Sequence, residues 1–269
     1  MKENEGKGIV TLSFDDGRRD SFDVFMDILK PMRIPATINI PTGYIEVGFS
    51  DPTDIGYNGL MTKAQLDEIS SCPLFEIAGH GHMHNNSDAD VEMGIKKLKE
   101  WYPSIKEFGF ASPHSDLSDE DVLGKRDFFQ SIGIRYVRLG RNFTKRNLYK
   151  RILSKIASKS GEIAPFRKCY KSSLNDPNRK IIHAIPIIKT TRIEQVKTII
   201  DYAISKREWC VLEIHGIDQK DSVEYQELFC WDRELFVTLC EYLVKLRSDG
   251  LILLKRTIDV VNSETSYRK

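Results

Sequence analysis

The sequence has no CxxC pair, no apolar run long enough to cross a bilayer, and no excess of either charge sign. Its cysteines are few, odd in number and irregularly spaced: Cys72, Cys169, Cys210, Cys230 and Cys240. That argues against a disulfide framework or a zinc finger, and they read as reduced core thiols of a cytosolic protein. Forty basic residues meet 39 acidic ones, a net charge of +1. Composition therefore gives no reason to expect a nucleic-acid or membrane-surface partner. The opening MKENEGKG runs straight into an apolar strand without the charged start and apolar core of a secretory leader, so the expected location is cytoplasmic. No linker rich in Pro, Gly or Ser divides the 269 residues, and the length suits one α/β barrel.

What is present is alternation. Short apolar runs over 8–14, 36–40, 75–79, 107–111, 136–139, 181–188, 210–214 and 251–254 predict strands. They are continuously apolar, as buried parallel strands are. Between them, the spacing predicts helices over 20–32, 63–71, 91–101, 119–132, 147–158, 192–206 and 232–248. Ser118 reads as a helix start, and Gly133 and Gly250 as helix stops. Repeated β-α units of this kind imply an α/β fold, a barrel of about seven to eight parallel strands. The expected organisation is a single domain over 1–269, with a basic helical insertion around 144–178.

Ligands bind at the carboxyl ends of strands in such folds. Asp15 and Asp16 end the first strand in SFDDG, and His80, His82 and His84 follow the third in GHGHMH. His114 follows the fourth strand, His215 ends the seventh, and His183 lies inside an apolar run and reads as core. Two adjacent acids at a buried strand tip are costly unless paired or bound to a metal. An Asp and two of the histidines can hold a divalent cation with positions left for water. The other Asp is then placed to take a proton from that water, and His215 to give one to a leaving group. Three histidines in five residues offer a ligand pair whether the segment is extended or turned.

TLSFDDG resembles the first motif of the polysaccharide deacetylase family (the NodB-homology group, carbohydrate esterase family 4). EIAGHGHMH resembles its second motif and VLEIHG its last, across residues 8–262. The resemblance implies a distorted (β/α) barrel in which Asp16, His80 and His84 bind the metal, most often zinc. Iron, cobalt or nickel suit the same three groups. It implies Asp15 as general base and His215 as general acid. It leaves His82 without a metal role.

The sequence departs from the family pattern in three places. Gly81 stands where Ser or Thr is usual. Ala111, in FASPHS, stands where an arginine usually pairs with the base, and no fourth motif is visible. Arg138 or Arg141, in YVRLGR, is the candidate replacement, while Glu213 and Asp218 are not assigned the fourth-motif role. The expected activity is metal-dependent removal of an N-acetyl or N-formyl group from a small or lipid-linked amino sugar in surface-polysaccharide, O-antigen or lipopolysaccharide biosynthesis. Two alternatives stand beside it: a catalytically weakened carbohydrate- or metabolite-binding barrel, and a cyclic-amide hydrolase like allantoinase. A non-haem iron oxygenase would leave Asp15 and His215 without a task. Tyr44, Tyr57, Trp231 and Arg141 are candidate lining residues. The sequence does not specify an oligomeric state.

Overall fold

A computed structural model of the chain describes residues 6–47, 59–141, 148–222 and 227–263. The strands are β1 (Gly8–Phe14), β2 (Ala36–Ile40), β3 (Phe75–Gly79), β4 (Phe108–Ala111), β5 (Ile134–Leu139), β6 (Ile181–His183), β7 (Ile185–Pro186), β8 (Trp209–Ile214), β9 (Gly216–Asp218), β10 (Cys230–Asp232) and β11 (Ile252–Leu254). The main sheet runs β6-β5-β4-β3-β2-β1-β8-β7, with every ladder parallel. β6 and β7 are one segment broken at Ala184, whose N–H is shared between the Leu139 and Gly140 carbonyls at 3.1 Å. The first half pairs with β5 and the second with β8, so the sheet comes round on itself. β2 is in register only with Leu12–Phe14 of β1, and β11 takes the Gly8–Val10 half that β2 leaves. The result is the expected distorted (β/α) barrel.

The strands form where expected because their apolar runs are buried on both faces; all seven residues of β1 are buried. The expected strand 181–188 is the split β6–β7 pair. Helix starts follow side-chain chemistry. Thr62 and Gln65 form a capping box, as do Ser118 and Asp121, and Asp232 accepts the Leu235 N–H at 2.9 Å. Gly133 and Gly250 end their helices at φ 86° and 73°, where a side chain is disfavoured. Two expected helices are divided. The 20–32 helix becomes Arg19–Val24 followed by a π-turn at Phe25–Leu29. The 119–132 helix leaves helical geometry at Lys125, just after the poor helix former Gly124. Helices Thr42–Val47, Ile163–Tyr170 and Thr257–Ser263, and strands β9 and β10, are short elements the periodicity did not predict.

The barrel interior is polar. Hydrogen bonds between strands that are not neighbours must cross it. Tyr136 of β5 reaches Glu76 of β3 at 2.8 Å, and Arg138 of β5 reaches Glu213 of β8 at 2.8 Å. At the amino-terminal end, Ile9, Tyr136, Ile182 and Trp209 pack with Val260 and Val261, so the last helix plugs the floor. The larger apolar core lies outside the sheet, between the strands and the surrounding helices. No described helix is long and apolar enough to cross a membrane.

Candidate active site

The carboxyl ends of β1, β3, β5 and β8 meet at one mouth. Asp15 still follows the sheet, giving its N–H to Ile214 at 2.9 Å. The chain then turns through Asp16 at φ 71° and Gly17 at φ 62°. Left-handed backbone is unfavourable at Asp16, as it is for most residues with a side chain, and such strain gathers at functional positions. A Cβ on Gly17 would lie 3.0 Å from the Ile40 side chain.

His80 follows β3 directly, and its Nδ1 lies 2.8 Å from the Ala111 carbonyl. That carbonyl can only accept, so Nδ1 carries a proton, and in the neutral ring Nε2 is the lone pair that faces Asp16. The segment then folds back so that His84, at φ 55°, returns to the same point. Asp90 clamps the loop from below by accepting the N–H groups of His82 and Met83, each at 2.8 Å. Gly81 sits at φ 77°, where a Cβ would stand 2.5 Å from the Asp90 carboxylate. This explains why glycine occupies the position after His80. His82 turns away to Thr42, at 3.0 Å.

Three ligand atoms converge as a result. Asp16 Oδ1 is 3.3 Å from Nε2 of His80 and 3.3 Å from Nε2 of His84, and the two nitrogens are 3.2 Å apart. Ligands about 2.0 Å from a tetrahedral ion stand roughly 3.3 Å from one another. Asp16 Oδ1 is buried with no hydrogen-bond partner. A buried, nearly equilateral triangle of one carboxylate oxygen and two imidazole nitrogens fits a divalent cation. Burial raises the Asp16 carboxyl pKa, but the two histidines and His215 outweigh it and hold it well below the usual range.

Asp15 lies in a different setting one residue away. Arg138 bonds both of its oxygens, and Asn39 donates to Oδ1 at 2.8 Å. Arg138 also donates to Glu213 at 2.8 Å and is 1% exposed. Burial raises the Asp15 pKa; Arg138, then His80 and His215, lower it further than burial raises it. Arg138 stands opposite Ala111 in the β4–β5 register. The guanidinium missing from β4 therefore arrives from the next strand at the same level. His215 Nε2 is 3.9 Å from Asp15 and 4.0 Å from Glu213, and its ring lies 4.9 Å from that of Phe229. Its Nδ1 is buried and meets no partner among the described residues, so no carboxylate there fills the fourth-motif place.

The structure thus gathers Asp15, Asp16, His80, His84 and His215 at the mouth. Tyr44 joins them, its ring 6.1 Å from His84, and the exposed His114 ring lies 4.4 Å from His84. His183 is buried outside the mouth, as expected of a core residue, with Asp119 at 2.7 Å. Trp231 is corrected: it is fully buried and donates to the Thr191 carbonyl at 2.7 Å, so it packs rather than lines. Tyr57 falls outside the described residues. Sequence reasoning missed Asn39 and the buried Arg18, and it named Glu213 without giving it a role. Arg18 pairs with Asp20 at 3.2 Å and Glu227 at 3.0 Å, beside the Gly216 backbone that follows His215. The only sequence signal for these was a polar side chain at or beside the end of a strand.

The polysaccharide deacetylase family matches residues 2–120, which bears out the resemblance carried by the first two motifs. His215 lies beyond that stretch. No curated protein matches. Among solved structures, the deacetylase domain of BpsB from Bordetella bronchiseptica is 15% identical with a TM-score of 0.40, the match covering 49% of this chain and 63% of that one. The Streptococcus pyogenes deacetylase PplD, in complex with acetate, is 18% identical with a TM-score of 0.39, covering 48% and 54%. Peptidoglycan deacetylase PdaC from Bacillus subtilis is 11% identical with a TM-score of 0.40, covering 92% and 97%. The likeness is loose, and the chain spans less than two thirds of the first two of these structures.

Proposed function

We propose that this chain, a polysaccharide deacetylase family member through residues 2–120, is a metal-dependent hydrolase that removes an N-acetyl or N-formyl group from an amino sugar. The observation that carries the reading is the buried triangle of Asp16, His80 and His84 beside an arginine-held Asp15. A divalent cation held by the triangle supplies Lewis acidity, acidifying water and polarising an amide carbonyl. Zinc is the first choice for two imidazoles and a carboxylate. Asp15 then acts as general base: Arg138 and Asn39 fix its carboxylate and keep it ionised, ready to accept a proton. His215, 3.9 Å across the mouth, gives a proton to the departing amine.

The arginine absent at Ala111 is supplied by Arg138, which weighs against a barrel kept only for binding. The proposed setting is cytoplasmic assembly of a surface polysaccharide precursor; five cysteines without a disulfide support a reducing compartment. The test is acetate or formate release from N-acylated amino sugars and their nucleotide-linked forms, before and after chelation. Release that chelation abolishes and zinc restores is expected. Release unaffected by a chelator that strips the metal would overturn the reading.

A further inference from the structure

The insertion between β5 and β6 carries an apolar face open to solvent. Helix Leu148–Ser160 buries Ala157 and turns Leu153 inward, against the helix Ile163–Tyr170 behind it. The adjoining arc holds Leu148, Tyr149, Ile152 and Ile156, between 65% and 44% exposed. At about 100° per residue these four fill roughly 100° of the helix circumference. The exposed Lys155 and Lys159 fall at the edge of and within that arc, and the Lys168 amine lies 5.4 Å over the Tyr149 ring. Across 148–178, seven lysines and arginines meet only Glu162 and Asp176. The balanced total charge hides this local excess.

The helix is fixed on the mouth side of the barrel. Ser158 bonds Thr190 at 2.7 Å, and Gln195 donates to the Ala157 and Glu162 carbonyls at 3.1 and 3.0 Å. Thr190 belongs to the loop that leaves the carboxyl end of β7. In that loop the Lys189 N–H reaches Leu228, and Leu228 and Phe229 are themselves 54% and 45% exposed. At about 100° per residue Ser158 lies about 130° round the helix from the centre of the exposed arc, so the arc faces away from that loop, and Leu228 and Phe229 form a separate exposed apolar pair at the rim beside His215.

We propose that this face docks on a membrane leaflet bearing anionic phospholipid headgroups. Contiguous exposed apolar side chains mark an interaction surface. The centres of protein–protein interfaces are depleted in lysine, whereas membrane-surface helices set an apolar ridge between lysines and arginines. Lysine stems lie along such a ridge while their amines reach phosphate. The consequence that the acylated sugar is lipid-linked rests on the hydrolase reading; the docking does not.

The test is flotation of the full chain with vesicles of phosphatidylcholine alone and of phosphatidylcholine mixed with phosphatidylglycerol. The wild type is expected to float with the mixed vesicles only, and less as salt rises. Ile152→Asp with Ile156→Asp, and separately Lys155→Glu with Lys159→Glu, are expected to weaken binding about tenfold or more. Circular dichroism, metal content and amide hydrolysis of a soluble substrate are expected to stay at wild-type levels. A wild type that ignores mixed vesicles, or both pairs floating like wild type, would overturn the proposal. So would self-association that the isoleucine pair abolishes without any vesicle binding, which would make the face a contact between copies. Vesicle binding without hydrolysis of any amide would sink the hydrolase reading and leave the docking in place.

Discussion

Two buried carboxylates in the same barrel end up in opposite states. At the floor, Glu76 accepts from the Thr37 hydroxyl at 2.8 Å, the Tyr136 hydroxyl at 2.8 Å and the Ile258 N–H at 3.0 Å. All three donors are neutral. Burial dominates, and the Glu76 carboxyl is pushed up to about 7. At the mouth, Asp15 is as deeply buried, yet a guanidinium in direct contact, with help from two histidines, lowers its pKa. Neutral donors satisfy the hydrogen bonds of Glu76 without offsetting its burial, whereas at Asp15 the guanidinium and two histidines together do; Glu213, sharing Arg138 but beside the Asp15 charge, is still raised by burial. The floor thus holds a group suited to closing the barrel, where it meets the N-terminus of helix Thr257–Ser263. The mouth holds a carboxylate kept ionised, which the proposed function uses as its base.

The widest separation between the two ends is expected in turnover. Asp16→Ala should lower it at least about 10³-fold if that carboxylate holds the proposed metal. Glu76→Gln should leave it near wild type, and a comparable loss there would erase the distinction. Asp15→Asn should keep bound metal and lose about 10²–10⁴-fold in rate, the range for a general base. Single-turnover kinetics on metal-loaded protein checks this, and an active Asp15→Asn would remove its role. Arg138→Met strands two buried carboxylates, so urea unfolding should show a loss of about 3–5 kcal/mol. A much smaller loss would mean that Asp15 and Glu213 do not depend on Arg138.

The smallest effect concerns pH. Because the folded pKa of Glu76 is raised, its contribution to stability is complete below about 4.5 and is lost as pH rises through about 7. Its ceiling is about 3 kcal/mol. Unfolding followed at several pH values should show that decline in the wild type and a flatter profile in Glu76→Gln. Identical profiles would contradict the contrast between floor and mouth.

The strands were legible because burial on both faces writes a continuous apolar run, and β1, β2 and β3 match expectation to the residue. The convergence of Asp16 with His80 and His84 was legible only through the motif spacing. Left-handed backbone at Asp16 and His84 brings them together, and no periodicity reports that. The level of Arg138 with Ala111 is a matter of register between neighbouring strands, which local sequence does not encode. β9 and β10 are three residues each and lie in a polar stretch, so Trp231 looked like loop when it is core. The local excess of positive charge in the insertion was legible in composition by segment, although the total is only +1; the exposed apolar arc beside it was not read from the sequence.

The most direct measurement is the metal content of the purified wild type beside His80→Ala and Asp15→Asn, each loaded with zinc and desalted. Close to one ion per chain is expected in the wild type and in Asp15→Asn, with loss of the ion from His80→Ala. Equal metal in all three, or none in the wild type, would contradict it.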